Sequence, residues 1–476
     1  MRMKKNLLFL LIILLFSLSS NPGFSSNSNY IPVLTFGEYG NREGEFNYPV
    51  GIALDKTGNL YITDWENDRI QIFNPEGELL KVIPDKDSTF KLDGPVGIVL
   101  DQEGNLMVVE QFNHRIHKIS PEGDSLNIVG KEGNGPGEFL NPRGIALDKE
   151  DNIYVVDTDN NRVQIFSPDF QFVRQFGREG MGDGEFYYPR GIALSPEGNI
   201  YVADTFHHQV QVFTKEGNFL RKFGEGGDGV GQFDGTRYIA FDAKGNIYVT
   251  DYRNGKVVKF NQDEQFELEF GNDETDGIKL SYPEGVVIDE RNYIFVADAG
   301  NNRIVKYGLS QMVIHNDLGN KYLEEGQWEK AISEFQQALA LDPLNLAARQ
   351  GIALAFYKNG EWKKAIEAYS YLQERDPENQ EIKGKIIESR FNLANYYENN
   401  SAFKEAYKEY KEVLNLNPDY PSAKRRSYIA YLKYIFYSPY FRVIFLLVIL
   451  AVFFIILLPK IRKGGKVSKH SRGRGY

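Results

Sequence analysis

Short runs rich in Val, Ile, Tyr and Phe, broken by Gly, Asn, Asp and Pro, fill the first two thirds of the chain, a pattern that predicts strands joined by tight turns. The runs recur. Six segments start near Pro-x-Gly, at Gly51, Gly97, Gly144, Gly191, Tyr238 and Gly285, spaced by 46 or 47 residues. Each holds four strand-like pieces, as in Pro142–Asp148, Asn152–Asp157, Asn161–Phe166 and Phe172–Gly177. Four strands repeated six times predict an all-β, six-bladed propeller over residues 32–308. The register also predicts how the ring closes. Pro32–Gly37 matches a fourth strand and the last unit stops at its third, Arg303–Tyr307, so the N-terminal strand completes the last blade.

From Gln311 the apolar positions take a helical period, which predicts an all-α module over 311–437. Leu318, Gly319, Tyr322, Gly326, Trp328, Ala331, Phe335, Ala338 and Pro343 recur 34 residues on as Ile352, Ala353, Phe356, Gly360, Trp362, Ala365, Tyr369, Leu372 and Pro377. A third copy, from Leu393 to Pro418, follows a seven-residue insertion, and Pro421–Tyr437 reads as a closing helix.

Both ends differ from this body. Arg2, Lys4 and Lys5 precede an apolar run from Leu7 to Leu18 and then small polar residues, so residues 1–26 read as a signal peptide. Val443–Leu458 has no polar residue, and residues 440–459 read as one transmembrane helix. The tail 460–476 is basic, which places it in the cytoplasm and the two domains outside it, periplasmic or on the cell surface, in a host that reads as bacterial.

The phrases Pro-x-Gly-Ile-Ala-x-Asp, Gly-Asn-x-Tyr-Val-x-Asp and Asn-x-Arg-Ile-Gln-x-Phe resemble NHL repeats, and the helical copies resemble the tetratricopeptide repeat. Four departures from the first pattern stand out: Tyr238 for Gly, Ser195 and Glu110 for Asp, and His207-His208-Gln209 for Asn-x-Arg. The resemblance implies modules that bind proteins or peptides. It also brings in a rival, because related propellers include metal-dependent lyases and lactonases that act at the central channel.

Charge narrows these readings. Residues 32–308 hold 27 basic and 47 acidic side chains, the wrong sign for a phosphate backbone, so no nucleic acid is expected. The chain has no cysteine, which removes disulfides and thiolate chemistry. The recurring acids Asp64, Asp157, Asp204, Asp251 and Asp298 read as blade residues that bond turn amides or pair with Arg69, Arg115, Arg162, Lys256 and Arg303. His114 and His208 share one repeat position and read as exposed loop residues. The Gly-rich connectors with Asp183, Asp228 and Asp234 read as linkers rather than Ca²⁺ loops, so no metal, cofactor or catalytic set is assigned.

One position breaks the symmetry usefully. Between Pro and Gly stand Val50, Val96, Arg143, Arg190, Arg237 and Glu284. Arg143, Arg190 and Arg237 on successive blades make a candidate arc for an acidic small molecule or glycan, because guanidinium forks match carboxylate and phosphate. In the helical module Asn316, Asn320 and Asn392 are the candidate groove residues. The whole reads as a membrane-anchored, extracytoplasmic binding or scaffolding protein rather than an enzyme.

Overall fold

The computed structural model describes residues 29–272, 278–453 and 455. These divide into two compact units, one ending at Ser310 and the other beginning at Gln311. The first is a ring of six four-stranded antiparallel sheets. Blade one runs outward through Pro49–Leu54, Leu60–Asp64, Arg69–Phe73 and Leu79–Ile83. In blade six the outermost strand is Tyr30–Phe36, paired antiparallel to Arg303–Leu309 from Tyr30 opposite Leu309 to Phe36 opposite Ile304. The ring therefore closes as the repeat register predicts.

Burial follows position in the blade. Ile153–Asp157, a second strand, is buried throughout, whereas the outermost Phe172–Phe176 is mostly exposed. The cores lie between blades: Tyr154, Val156 and Val163 of blade three pack with Ile192, Ile200 and Val202 of blade four. Around the axis the innermost strands come very close. A Cβ on Gly97 would sit 2.2 Å from the Arg143 carbonyl oxygen, and one on Gly144 would sit 2.3 Å from that of Arg190. Gly recurs in Pro-x-Gly because the next blade's backbone occupies that space.

The recurring acid organises each blade. Asp157 accepts the Leu140 amide together with Asn160 Nδ2, Arg162 Nε and Gln164 Nε2. Arg162 then donates to the carbonyls of Asn134, Gly135 and Glu138, holding the Gly-rich connector in place. Asp64 with Arg69 and Asp298 with Arg303 repeat the pair at 2.7 Å, and Glu110 reaches Arg115 at the same distance with its longer arm. In blade four Gln209 takes the arginine position and donates to Asp204 at 3.1 Å, while His207, in the place of Asn160, has its Nδ1 2.7 Å from the same carboxylate.

Blade five overturns one expected pair. Lys256 turns away from Asp251 to Glu269, at 2.8 Å, and to the Gly229 carbonyl. Asp251 keeps the Asp234 amide and Asn254 Nδ2 as donors, and burial pushes its carboxyl up to about 6. His114 and His208 are corrected too. Both are half-buried, in left-handed backbone, and accept the amides of Asn141 and Gly235 in the next blade, each at 3.1 Å. Asp68, Asn161 and Asn302 do the same for Gly94, Tyr188 and Tyr48.

The second unit is a stack of helices, each packed on the next: Gln311–Glu324, Trp328–Leu341, Leu346–Lys358, Trp362–Arg375, Gln380–Asn399, Phe403–Leu416 and Ala423–Tyr437. Gly326, Gly360 and Ser401 take the left-handed turn inside the pairs. The seven-residue insertion is absorbed as helix, since Gln380–Asn399 has 20 residues where Leu346–Lys358 has 13.

The expected single span is not what the described residues form. Ser438 caps a new helix by accepting the Phe441 amide, and Pro439 at its first position has no N–H to continue the preceding one. The result is a separate helix, Pro439–Val452, whose 14 residues rise only about 21 Å. Among the described residues no single helix is long and apolar enough to cross a membrane, although Ala423–Tyr437 and Pro439–Val452, bent by 63°, meet the criterion as a pair. The expected leader 1–26, the tail 460–476 and most of the end of the 440–459 run lie outside the described residues.

Two outcomes test this account. A carboxyl whose pKa is raised on folding supports the fold in full below its ordinary 3.8 and loses that support as pH rises through about 6. Lys256→Arg supplies the guanidinium that the other blades use, so the Asp251 titration, read by carboxyl-carbon NMR, should fall towards 3.8 and this part of the pH dependence should flatten. A titration still near 6 overturns the assignment. Gly97→Ala should cost about 1–3 kcal/mol in urea unfolding, as overpacking does, and a parental midpoint would show that the innermost strands have room to part.

Candidate functional site

In five blades the start of the innermost strand pairs with the end of the second, as Pro49 does with Asp64 and Pro283 with Asp298. In blade three that strand is only Ile145–Leu147, and the Arg143 amide donates to the Val156 carbonyl. The residue between Pro and Gly and the residue after the recurring acid therefore lie at one end of the channel. Going round the ring these are Val50 and Trp65, Val96 and Gln111, Arg143 and Thr158, Arg190 and Thr205, Arg237 and Tyr252, Glu284 and Ala299. The ring has two characters: apolar at Val50 and Val96, cationic from Arg143 to Arg237.

The three arginines converge. Burial, then the like charges of Arg143 and Arg237, push the Arg190 guanidinium down to about 9, with Glu284 opposing the shift. Arg237 is 5% exposed and Glu284 2%, so both are charges taken out of water. They form an ion pair, Arg237 Nε to Glu284 Oε1, at 3.4 Å, and the Arg237 guanidinium lies 3.9 Å from the centre of the Tyr252 ring. Tyr252 stacks on Tyr282 and shares a 2.8 Å hydrogen bond with Tyr48. Arg190 Nε, Arg237 Nε and Nη1 and Glu284 Oε2 are buried without a hydrogen-bond partner. Burying such groups is costly unless something pairs with them.

Tyr238 is the residue that the sequence reading missed as a site member. It replaces the inter-blade glycine of blade five, and its side chain packs on the cluster that contains Val50 and Val96 as well as on the cluster between blades five and six. Its buried hydroxyl has no partner. Burial and Glu284 raise its pKa, while Arg143, Arg190 and Arg237 lower it, so all four charges act on one oxygen. The available signal was the break in repeat symmetry at Tyr238 itself.

The helical candidates are not brought together. Asn316 is 9% exposed, and its Nδ2 is 3.3 Å from both Asn345 Oδ1 and Met312 Sδ, which makes it an interior residue rather than a groove contact. Asn320 is exposed on the same helix, whereas Asn392 is half-buried on Gln380–Asn399, which packs on Trp362–Arg375 and Phe403–Leu416. At the other end of the propeller, open hollows of about 490 and 610 Å³ repeat between blades. They are lined by Asp55, Asp148 and Asp289, whose carboxylates already accept turn amides. Among the described residues no three His, Asp or Glu side chains gather to hold a metal ion.

Comparison with known proteins agrees with the two-part architecture. The NHL repeat model matches residues 46–73, 139–166, 186–213 and 280–307, and a tetratricopeptide repeat model matches 316–379. Protein wech of Drosophila melanogaster is 40% identical over 53 residues, 11% of this chain and 6% of that protein. Protein lin-41 of Caenorhabditis elegans is 41% identical over 49 residues, 10% of this chain and 4% of that protein. The chain thus spans only about one twentieth of the length of these curated relatives. Among solved structures, virginiamycin B lyase from Staphylococcus aureus is similar at a TM-score of 0.42 and 15% identity, over 58% of this chain and 99% of the lyase. The chain carries NHL repeats in a six-bladed propeller, followed by a helical module with a tetratricopeptide repeat match.

Proposed function

We propose that this protein is a membrane-tethered binding and scaffolding protein whose propeller captures an acidic ligand at the channel mouth. One observation carries the reading: beside Arg143, the buried Arg190 Nε and Arg237 Nε and Nη1 make no hydrogen bond, and Arg237 Nε has only its ion pair with Glu284. Like-charged guanidinium groups at such a site gain most from an anion placed among them. The helical stack docks a protein partner, as tetratricopeptide modules do. Support for the tether comes from Pro439–Val452, where no residue is buried, joined to a helix that carries Lys424, Arg425, Arg426 and Lys433 and no acid. On this reading both domains lie outside the cytoplasm.

A propeller lyase or lactonase is the alternative. Its metal-dependent form needs several converging carboxylate or imidazole ligands, and no such group occurs among the described residues.

Sulfate is the simplest probe of the anion site. Added to the detergent-solubilised full chain at constant ionic strength, it should raise the propeller melting temperature saturably, and Arg190→Gln should abolish the saturable part. A linear response shared by parent and variant overturns the reading, since that is what general salting-out gives. For the tether, the parent should stay in the membrane pellet at alkaline pH and a chain ending at Tyr437 should be released. Retention of the shortened chain would place the attachment elsewhere.

A further inference from the structure

A simple anion leaves part of the channel mouth unsatisfied. Sulfate and phosphate offer acceptors to Arg190 Nε and Arg237 Nη1, buried without hydrogen-bond partners, and to Arg237 Nε, which has only the 3.4 Å ion pair with Glu284. Glu284 Oε2 and Gln111 Oε1 are also buried and unpartnered, yet they are acceptors and need a donor from the ligand. Glu284 is 2% exposed and Gln111 7%. Two further groups are buried without a hydrogen-bond partner, Trp65 Nε1, a donor, on blade one and Thr158 Oγ1, a donor or acceptor, on blade three. The occupant must therefore combine a negative group for blades four and five with hydroxyl-type donors and acceptors for groups on blades one, two, three and six.

The opposite wall sets its shape. Val50 and Val96 form one buried cluster on which Tyr48, Trp65 and Tyr238 pack. Trp65 continues into an aromatic series, with ring centres 5.5 Å from Tyr48 and 5.8 Å from the exposed Phe112. The half-buried Trp65 and the exposed Phe112 offer flat apolar surface beside the polar arc, which suits a saturated ring that has a C–H face and an edge of hydroxyls. Tyr238 packs both on the Val50 and Val96 cluster and on a cluster of blades five and six, so it borders the mouth from two sides.

We infer that the channel mouth recognises the terminal uronic-acid unit of a glycan, its carboxylate on the arginine arc, its hydroxyls on Glu284 and Gln111, and its ring face against the Trp65 side. The inference rests on the anion-site reading and sharpens it to a substrate class. Glu284 is the discriminating residue. Its charge disfavours a bare anion beside Arg237, and its free oxygen rewards a ligand that brings a hydroxyl.

Isothermal titration calorimetry on the detergent-solubilised full chain separates the possibilities, with sodium glucuronate, glucose and sodium sulfate as probes at one ionic strength. Glucuronate should bind one to one and about tenfold or more tighter than sulfate, with glucose below detection, which is the discrimination expected when hydrogen bonds to a charged group are added. Gln111→Met should weaken glucuronate about tenfold and leave sulfate unchanged, while Glu284→Gln should weaken glucuronate and strengthen sulfate. Far-UV circular dichroism and melting temperature check each variant, and the Gln111 variant stands alone if loss of the Arg237 pair unfolds the Glu284 one. Equal affinity for sulfate and glucuronate overturns the uronate assignment and leaves the anion site intact. No binding of either overturns both. Tight glucose binding overturns the role given to the arginines.

Discussion

The approach of neighbouring innermost strands governs the rest of this propeller. Each Pro-x-Gly glycine faces the carbonyl of the x residue in the next blade at a distance that no Cβ tolerates. That contact fixes the backbone of x from outside its own blade and leaves its side chain free to vary. Val50, Val96, Arg143, Arg190, Arg237 and Glu284 thus occupy equivalent, rigidly held stations, and the ligand site is built by changing side chains on a fixed frame. At Tyr238, which departs from the glycine, Thr250 bridges the two strands, its Oγ1 accepting the Tyr238 amide and donating to the Glu284 carbonyl. Thr63 makes the same bridge between Gly51 and Val96 in blade one.

Much of this frame was legible in the residues. The repeat period, the number of strands per unit and the register at the two ends follow from local pattern, and local pattern is what a blade consists of. The role of Asp157 and Arg162 was legible because it recurs. What did not recur was harder to read. Lys256 stands where an arginine usually does, but its single ammonium meets Glu269 on the neighbouring strand, a choice set by reach rather than by sequence spacing. Asn316 falls at a groove position by alignment, yet Met312 and Asn345 enclose it, which a helical period alone does not report.

The site shows the same division. Three arginines on successive blades were visible as a pattern, and the closed geometry of the ring makes them neighbours. The contributions of Tyr238 and Glu284 depend on the far side of the ring, so their part emerges only when blades one, five and six are seen together. The end of the described chain depends on one junction, where the cap at Ser438 and the following Pro439 split an apolar stretch that hydropathy alone reads as continuous.

The completion of blade six by the N-terminal strand bears on how the molecule responds to mechanical load. Tyr30 lies opposite Leu309, so the chain enters and leaves that pair of strands at the same end of the ladder. Tension applied through the two ends of the propeller would peel the hydrogen bonds apart one at a time, as a zipper opens, instead of shearing all of them together. A ring closed by strand pairing thus has a clasp that yields to a small directed pull. Any stretch between Tyr30 and Leu309 would open blade six first.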